Sequence, residues 1–143
     1  MRLYFDTAYI AKCYLNEPGG EQVRELASNA TALYSSAWCL AEMACVIHRN
    51  LRERMLDPSQ AKTIRSQFLS DVQSGVWSLL PVTEMFLHRV EAFTATLSAS
   101  VFLRAGDAVH LVAALGEGFT EIWTNDRQLG LAAPHAGLSG RAI

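Results

Sequence analysis

The chain has 143 residues, of which 50% are hydrophobic and 18% are charged, with twelve basic against fourteen acidic residues. This composition is typical of one globular domain, residues 1–143, and excludes a disordered chain. The formal net charge of −2 is unlike that of a general nucleic-acid binder, which is usually strongly basic. An RNA substrate stays open, because acids that hold metal ions still count as negative in this sum.

No apolar run reaches the ~18 residues that a membrane span needs. The N-terminus carries Asp6 where a signal peptide would have an apolar stretch, so we expect a cytoplasmic protein without membrane contact. Cys13, Cys39 and Cys45 are odd in number and form no Cys-x-x-Cys pair, which argues against zinc ribbons and disulfide frameworks. Each lies among apolar residues and is predicted to be a small core side chain.

Short apolar runs alternate with longer helical stretches, which predicts an α/β layer fold with a mainly parallel sheet. In chain order the patterns predict a strand at 3–5, helices at 8–15 and 21–28, a strand at 31–35, a long helix ending near 54, a helix from 58, a strand at 76–82, helices at 83–97 and 103–115, a strand at 121–124 and a short helix from 126. Ser35 and Ser36 are predicted to cap the long helix. Asp57 is predicted to cap the next one, with Pro58 at its first position.

Glu42 is the most informative residue, because it is the only charge in the segment SAWCLAEMACVI. A helix that is apolar on nearly every side is predicted to be buried. A carboxylate in such a helix is costly unless it is paired or bound to a metal. Glu42 is therefore a candidate site residue, and the alternative is an ion pair with an arginine such as Arg104.

Three aspartates stand where strands end or helices begin. Asp6 follows the first predicted strand, Asp126 ends the strand segment EIWTN, and Asp107 lies early in the apolar helix of LRAGDAVHLVAAL. Ligands of open α/β folds bind beyond the carboxyl ends of the strands, so Asp6 and Asp126 are expected at one edge. Each aspartate could instead serve only as a helix cap. Their occurrence together with Glu42 favours a functional cluster.

These segments resemble the four motifs of the PIN-domain nucleases, especially the toxin subunits of VapBC-type toxin–antitoxin pairs. YFDTAYIAKCYLNEPG resembles the first motif, SSAWCLAEMACVIHR the second, LRAGDAVHLVAAL the third and IWTNDRQL the fourth. Each motif alone is weak, but the four stand in the right order from residue 1 to about 138. The resemblance implies a three-layer α/β/α fold with a mainly parallel sheet of four to five strands.

The resemblance also implies a pocket of four carboxylates that holds one or two Mg²⁺ or Mn²⁺ ions. Packed anions repel one another, and a hard divalent cation with oxygen ligands removes that strain. Asp6 and Asp107 would be primary ligands, and Glu42 and Asp126 would bind directly or through water. The implied activity is divalent-metal-dependent endoribonuclease cleavage, in which metal-activated water hydrolyses RNA phosphodiesters.

Other residues near these acids are open to two interpretations. Thr7 and Thr124 are candidates for orienting water or phosphate, and the alternative for each is local backbone capping. His110 shares a helix face with Asp107, and a satisfied interior histidine is preferred over a group that supports the site. Gly106 stands where the family more often has alanine, and a helix-interior glycine costs ~0.5–1 kcal/mol. We expect it to loosen the turn that presents Asp107.

Arg49, Arg52 and Arg54 form a short basic stretch beyond Glu42. They could contact the RNA backbone, although a solvated helix end is the preferred interpretation. The tail GLSGRAI is short and polar for a closing strand, so the sequence leaves the last strand undecided.

By resemblance, the partners are an RNA substrate, a VapB-like antitoxin and a second copy of the chain in a homodimer. Two helical faces offer more apolar surface than one small core needs, and they are assigned to the dimer and the antitoxin. These faces are the stripe of Ile64, Phe68, Leu69 and Val72, and the first helix with Tyr9, Ile10, Cys13 and Tyr14.

Two other functions compete with a ribonuclease toxin of a type II toxin–antitoxin system. A catalytically inactive PIN-fold binding module would be expected to lose at least one of the four acids, and none is lost. A phosphatase that forms an aspartyl-phosphate on Asp6 would be expected to carry a second acid two residues later, where Ala8 stands.

Overall fold

A computed structural model describes residues 1–143 as five strands and seven helices. In chain order these are β1 Arg2–Tyr4, α1 Thr7–Tyr14, α2 Gly20–Ser28, β2 Ala32–Ser36, α3 Cys39–Arg52, α4 Pro58–Gln73, β3 Trp77–Leu80, α5 Glu84–Ala95, α6 Ala105–Gly116, β4 Glu121–Trp123, α7 Arg127–Ala132 and β5 Ser139–Arg141, with a 3-10 turn at Ala133–Ala136. Every predicted element is present, with bounds that differ by one to a few residues.

All strand pairs are parallel. β2 lies between β1 and β3, and β4 pairs with β5. The two groups meet where Phe5 bridges Trp123 and the Asp6 N–H donates to the Trp123 carbonyl oxygen at 3.1 Å. The carboxyl ends of β1 and β4 therefore lie side by side, which brings Asp6 and the segment around Asp126 to one edge, as predicted from the ends of the strands.

Helices cover both faces of this sheet. Because side chains alternate along an extended chain, Leu3 of β1 and Phe5 just after it face a core built with α1 to α4, whereas Tyr4 faces a core built with α5, α6 and α7. No helix is long and apolar enough to cross a membrane. The arrangement is the predicted three-layer α/β/α fold.

Helix capping follows the sequence at one site and departs from it at another. The Asp57 side chain accepts from the Gln60 N–H, and the Gln60 side chain accepts from the Asp57 N–H. Helix α4 therefore begins with the predicted cap. The prediction that Ser35 and Ser36 cap α3 is wrong. Both belong to β2, and Ser36 Oγ accepts from the Trp38 N–H one turn before the helix.

α3 is buried on one face only, which corrects the expectation of a helix surrounded by core. Cys39, Met43 and Ile47 are buried at helical spacing, while Leu40 and Cys45 face solvent. An exposed apolar face and a buried one look alike in sequence. The assignment of the cysteines to the core holds for Cys39, is partial for Cys13, and fails for Cys45.

The tail forms the last strand. β5 pairs with β4 at the exposed edge of the sheet, where polar side chains are tolerated. Gly140 has a packing reason, because a Cβ there would lie 2.9 Å from the Gly130 Cα. A glycine-containing tail thus allows β5 to pass close to α7.

The two apolar faces assigned to partners are mostly used inside the chain, which corrects that expectation. Tyr9, Ile10 and Phe68 are buried in the core of α1 to α4. The partly buried residues Cys13, Tyr14, Ile64 and Val72 pack against the same core, and Leu69 is the exposed member of the stripe. Neither face is therefore free as a whole.

Candidate functional site

One cavity of about 310 Å³ is lined by residues from four separate parts of the chain. Asp6, Glu42, Asp107 and Asp126 all line it, together with Thr7, Arg104, Gly106 and His110. Thr124 is not part of the lining. The structure thus brings together the four acids that the sequence singles out, and adds an arginine and a histidine.

Asp6 combines a structural and an electrostatic role. It follows β1, is almost completely buried, and its Oδ1 accepts from the Tyr9 N–H at 2.9 Å as the N-cap of α1. Burial raises the pKa of Asp6 to about 6, against the opposing effects of the His110 charge and of hydrogen bonds from Thr124 and Tyr9. The nearby positive charge and hydrogen bonds do not offset the cost of burying this carboxylate.

Glu42 is held by two side chains from other helices. Thr7 Oγ1 donates to Glu42 Oε1 at 2.8 Å, and His110 Nε2 lies 2.7 Å from the same oxygen. Burial would raise the pKa of Glu42, but the hydrogen bond and charge of His110 and the bond from Thr7 outweigh it, so the pKa is lowered. The alternative of an Arg104 ion pair is replaced by a histidine contact.

His110 is both an interior histidine and a support of the site. Its Nδ1 lies 2.9 Å from the Tyr4 hydroxyl, which leaves Nε2 directed at Glu42. The ring is buried. The contact between Nδ1 and Tyr4 fixes the orientation of the ring and therefore the direction of Nε2. The preferred interpretation of a merely satisfied core residue is therefore incomplete, and the three-residue spacing from Asp107 was the available signal.

Arg104 bridges the other two acids. Its Nε donates to Asp107 Oδ2 at 3.1 Å, and its Nη2 donates to Asp126 Oδ2. Burial raises the pKa of Asp107, and Arg104 counters only part of that rise. The guanidinium is largely exposed at the rim of the cavity, so the bridge is open to competition from solvent and ions.

Asp126, Thr124 and Thr7 differ in how far their hydrogen bonds are local or directed at the other acids. Asp126 caps α7 by accepting from the Gln128 and Leu129 N–H groups at 2.8 and 3.1 Å. Thr124 Oγ1 accepts from the Asp126 N–H at 2.9 Å, which is the local capping alternative, and its side chain also favours the charged form of Asp6 through a hydrogen bond. Thr7 instead directs its hydroxyl at Glu42 and lines the cavity.

Gly106 has a steric function that the sequence did not suggest. A Cβ at this position would lie 3.1 Å from Glu42 Oε2 and 3.4 Å from Trp38 Nε1. Contacts this short would force the neighbouring side chains to move. The glycine thus permits close approach of Glu42 to the start of α6, whatever it costs in helix propensity.

The donor set suits Mg²⁺ or Mn²⁺, because these hard cations prefer carboxylate oxygens. The Arg104 guanidinium, which bridges Asp107 and Asp126, shows that this part of the cavity accommodates a cation. No three of the His, Cys, Asp or Glu side chains form a ready metal-binding cluster in their present rotamers. Metal binding at these acids would accordingly require side-chain rearrangement.

The family model of the PIN domain matches residues 3–133, and the chain belongs to this family. No curated protein matches the sequence. Solved structures match over nearly their whole length. VapBC2 of Rickettsia felis bound to a promoter DNA fragment has a TM-score of 0.69 and 14% identity, covering 99% of this chain and 98% of the other. FitAcB of Neisseria gonorrhoeae has a TM-score of 0.70 and 16% identity, covering 98% and 96%.

A third structure, FitAB bound to an IR36 DNA fragment, has a TM-score of 0.68 and 17% identity, covering 99% of this chain and 94% of the other. At such identities the similarity establishes the fold alone. The PIN family consists in general of nucleases, which places the carboxylate cavity in a fold used for phosphodiester chemistry.

Proposed function

We propose that this chain is a divalent-metal-dependent endoribonuclease, the toxin component of a type II toxin–antitoxin system. The observation that carries the proposal is the convergence of Asp6, Glu42, Asp107 and Asp126 on one cavity, although they are far apart in sequence. Membership of the PIN family supports nuclease chemistry.

In this proposal Asp6 and Asp107 are the primary ligands of one or two Mg²⁺ or Mn²⁺ ions, and Glu42 and Asp126 ligate directly or through water. When bound, the ion would supply an activated water and offset the charge that develops on the phosphate. Four carboxylates offer no strong nucleophile of their own, which favours hydrolysis by water over a covalent intermediate.

The chain's own contacts support this role by anchoring three of the acids through one oxygen each, so the rearrangement that metal binding requires starts from oriented side chains. The Tyr9 N–H holds Asp6, Thr7 and His110 hold Glu42, and the first amides of α7 hold Asp126. Ligands that neighbours orient bind metal more tightly than free ones. We assign to Thr7 in addition the orientation of water or phosphate, which its position in the lining of the cavity supports.

The proposed partner is a VapB-like antitoxin. Its support is the similarity of the whole chain to structures of VapBC2, FitAcB and FitAB. A homodimer is part of the same proposal. RNA is preferred over DNA on the family resemblance, since no residue of the cavity is seen to recognise a 2′-hydroxyl.

The test is cleavage of a labelled RNA pool by the purified protein. We expect internal cuts with Mg²⁺ or Mn²⁺, none in EDTA, and little turnover with Ca²⁺, which is larger and looser in its geometry. Asp107→Asn, prepared in the same way, should be inactive. Cleavage that persists in EDTA, or equally in Asp107→Asn, would overturn the proposal.

A further inference from the structure

A second and larger cavity, of about 900 Å³, opens beside the carboxylate cavity. Thr7, Glu42 and Asp126 line both, so the two spaces meet at the acids. One wall of the larger cavity is α3, and residues of α1 form another. The side chains that α3 presents to this cavity determine which class of ligand could lie along the helix.

One face of α3 presents a regular series of side chains to this cavity. Glu42, Cys45, Arg49 and Arg52 follow one another at intervals of three or four residues, which places them on one side of a helix, and all four line the cavity. With a rise of 1.5 Å per residue, Arg49 and Arg52 lie about 10 and 15 Å from Glu42 along the axis. A polyanion that extends from the acids along α3 meets Arg49 first and Arg52 second.

The two guanidinium groups are free for such a ligand. Arg49 forms no ion pair, and Arg52 has only a loose contact of 3.9 Å with the exposed Glu53. Lys12, the other long cation of the cavity, is already engaged, with Nζ 2.6 Å from the Pro18 carbonyl oxygen. Arg54, which completes the basic stretch in sequence, does not line the cavity.

Trp38 stands at the opposite end of the same face, four residues before Glu42. Its side chain is 40% exposed and lines the larger cavity. An exposed indole on the same helix face as two free arginines is a combination with which proteins bind single-stranded nucleic acids, because any base can stack on the indole while the cations hold the backbone. An acidic peptide would use the arginines but has no need of the indole, so the pair of features favours a nucleic acid.

We propose that α3 is the binding track for single-stranded RNA at this site. Trp38 stacks a base on one side of the acids, and Arg49 and Arg52 contact phosphates on the other. The choice of RNA rests on the proposed function. The preference for a single strand rests on Trp38, since a duplex keeps its bases stacked on one another.

The test measures binding separately from cleavage, with Asp107→Asn protein in EDTA and a labelled single-stranded oligoribonucleotide followed by fluorescence anisotropy. For single strands each phosphate contact contributes about −0.7 to the slope of log K against log salt concentration, so Arg49→Ala/Arg52→Ala in this background should make the slope less steep by about 1.4. The matched control is Lys62→Ala/Arg65→Ala, which removes the same charge at the same spacing from the exposed face of α4. That pair should leave the slope unchanged.

A second arm tests the indole. Trp38→Ala should weaken single-strand binding roughly fivefold or more, and Trp38→Phe should restore most of it, because an aromatic face is retained. A duplex of the same sequence should bind more weakly than the single strand and respond less to Trp38→Ala.

Equal salt slopes in the α3 and α4 double variants would overturn the track, whether or not the wild-type protein cleaves RNA. A second result would also overturn the track: the protein binds no RNA but binds polyglutamate, and that binding depends on Arg49 and Arg52. The groove would then fit an acidic peptide. RNA binding with the expected variant pattern, in a wild-type protein that cleaves nothing, would support the track and contradict the proposed nuclease.

Discussion

At the scale of single residues, Glu42 shows how neighbours reverse the expected effect of removing a charge. An isolated acid in an apolar helix predicts that Glu42→Gln leaves the fold intact or more stable. The contacts with His110 and Thr7 instead lower the pKa of Glu42. A group whose pKa is lowered by folding contributes stability above its ordinary pKa, and loses it as the pH falls.

We therefore expect Glu42→Gln to abolish cleavage, to stay folded, and to melt a little below the wild-type protein at pH 7 without metal. The loss should be about 1 kcal/mol, because a charge-assisted hydrogen bond becomes a neutral one at a partly exposed side chain. Differential scanning calorimetry in EDTA measures it. Thr7→Ser, which keeps the hydroxyl, is the control and should retain activity. A higher melting temperature for Glu42→Gln would show that repulsion dominates at this position.

The raised pKa of Asp6 predicts that the stability of the fold changes with pH in the direction opposite to the effect of Glu42. The pKa of Asp6 is raised to about 6 by burial, so between its ordinary pKa and about pH 6 the folded protein binds a proton that the unfolded chain releases. The free energy of unfolding should fall over this range as the pH rises. Asp6→Asn removes the titration but keeps a good N-cap for α1.

Relative to Asp6→Asn, the metal-free wild-type protein should lose about 2 kcal/mol of stability between pH 4.5 and pH 7.5. Urea denaturation in EDTA at several pH values gives this difference. Asp6→Asn should also weaken the rise in melting temperature that millimolar Mn²⁺ causes in the wild-type protein. Parallel pH profiles for the two proteins would contradict the assignment of the raised pKa to Asp6.

At the scale of elements, Arg104 ties the first turn of α6 to the start of α7 through Asp107 and Asp126. The same oxygens are the proposed metal donors, so arginine and metal compete for them. Arg104→Gln should lower the melting temperature in EDTA, because two acids lose their counter-charge, and should enlarge the shift produced by Mn²⁺. Thermal scans over a Mn²⁺ titration test both.

The matched control is Arg127→Gln, an exposed arginine on α7 without an ion pair. It should behave as the wild-type protein in both respects. A smaller Mn²⁺ shift in Arg104→Gln than in Arg127→Gln would mean that Arg104 helps to hold the ion rather than competing with it.

Elements with chemical signals at their ends were predictable from sequence. Asp57 and Pro58 mark the start of α4, and the acids after β1 and β4 mark the sheet edge that carries the site. The exposure of α3 was not predictable, because periodicity reports which residues are apolar and not which of them a neighbour covers. The closing strand was left undecided for a related reason, since β5 is held by pairing at an edge and buries no side chain.

At the scale of the whole molecule, the fold class and the four acids followed from the sequence, whereas the partners of those acids did not. The contact of Glu42 with His110 and the bridge from Arg104 to Asp126 join residues that lie 68 and 22 positions apart. Such pairings depend on how layers pack, which no local pattern encodes. His110 alone left a trace, in its spacing from Asp107 along α6.

The expectation of a homodimer belongs to this scale and has lost its original support, since α1 and the α4 stripe pack mainly within the chain. Large apolar side chains are exposed elsewhere, among them Met85 on α5 at 76% and Phe102 before α6 at 54%. Surface of this kind is more often covered by a partner when it is contiguous.

By family resemblance we still expect a dimer, now through surfaces other than α1 and the α4 stripe. Light scattering at a series of protein concentrations in the micromolar range should give twice the mass of one chain. Leu69→Glu, at the one exposed position of the stripe, should leave that mass unchanged, because Leu69 is no longer assigned to the interface. A clean monomer would remove the dimer and leave the nuclease proposal standing, since all four acids come from one chain. If the wild-type protein is a dimer and Leu69→Glu is a monomer, the interface would again be assigned to α4.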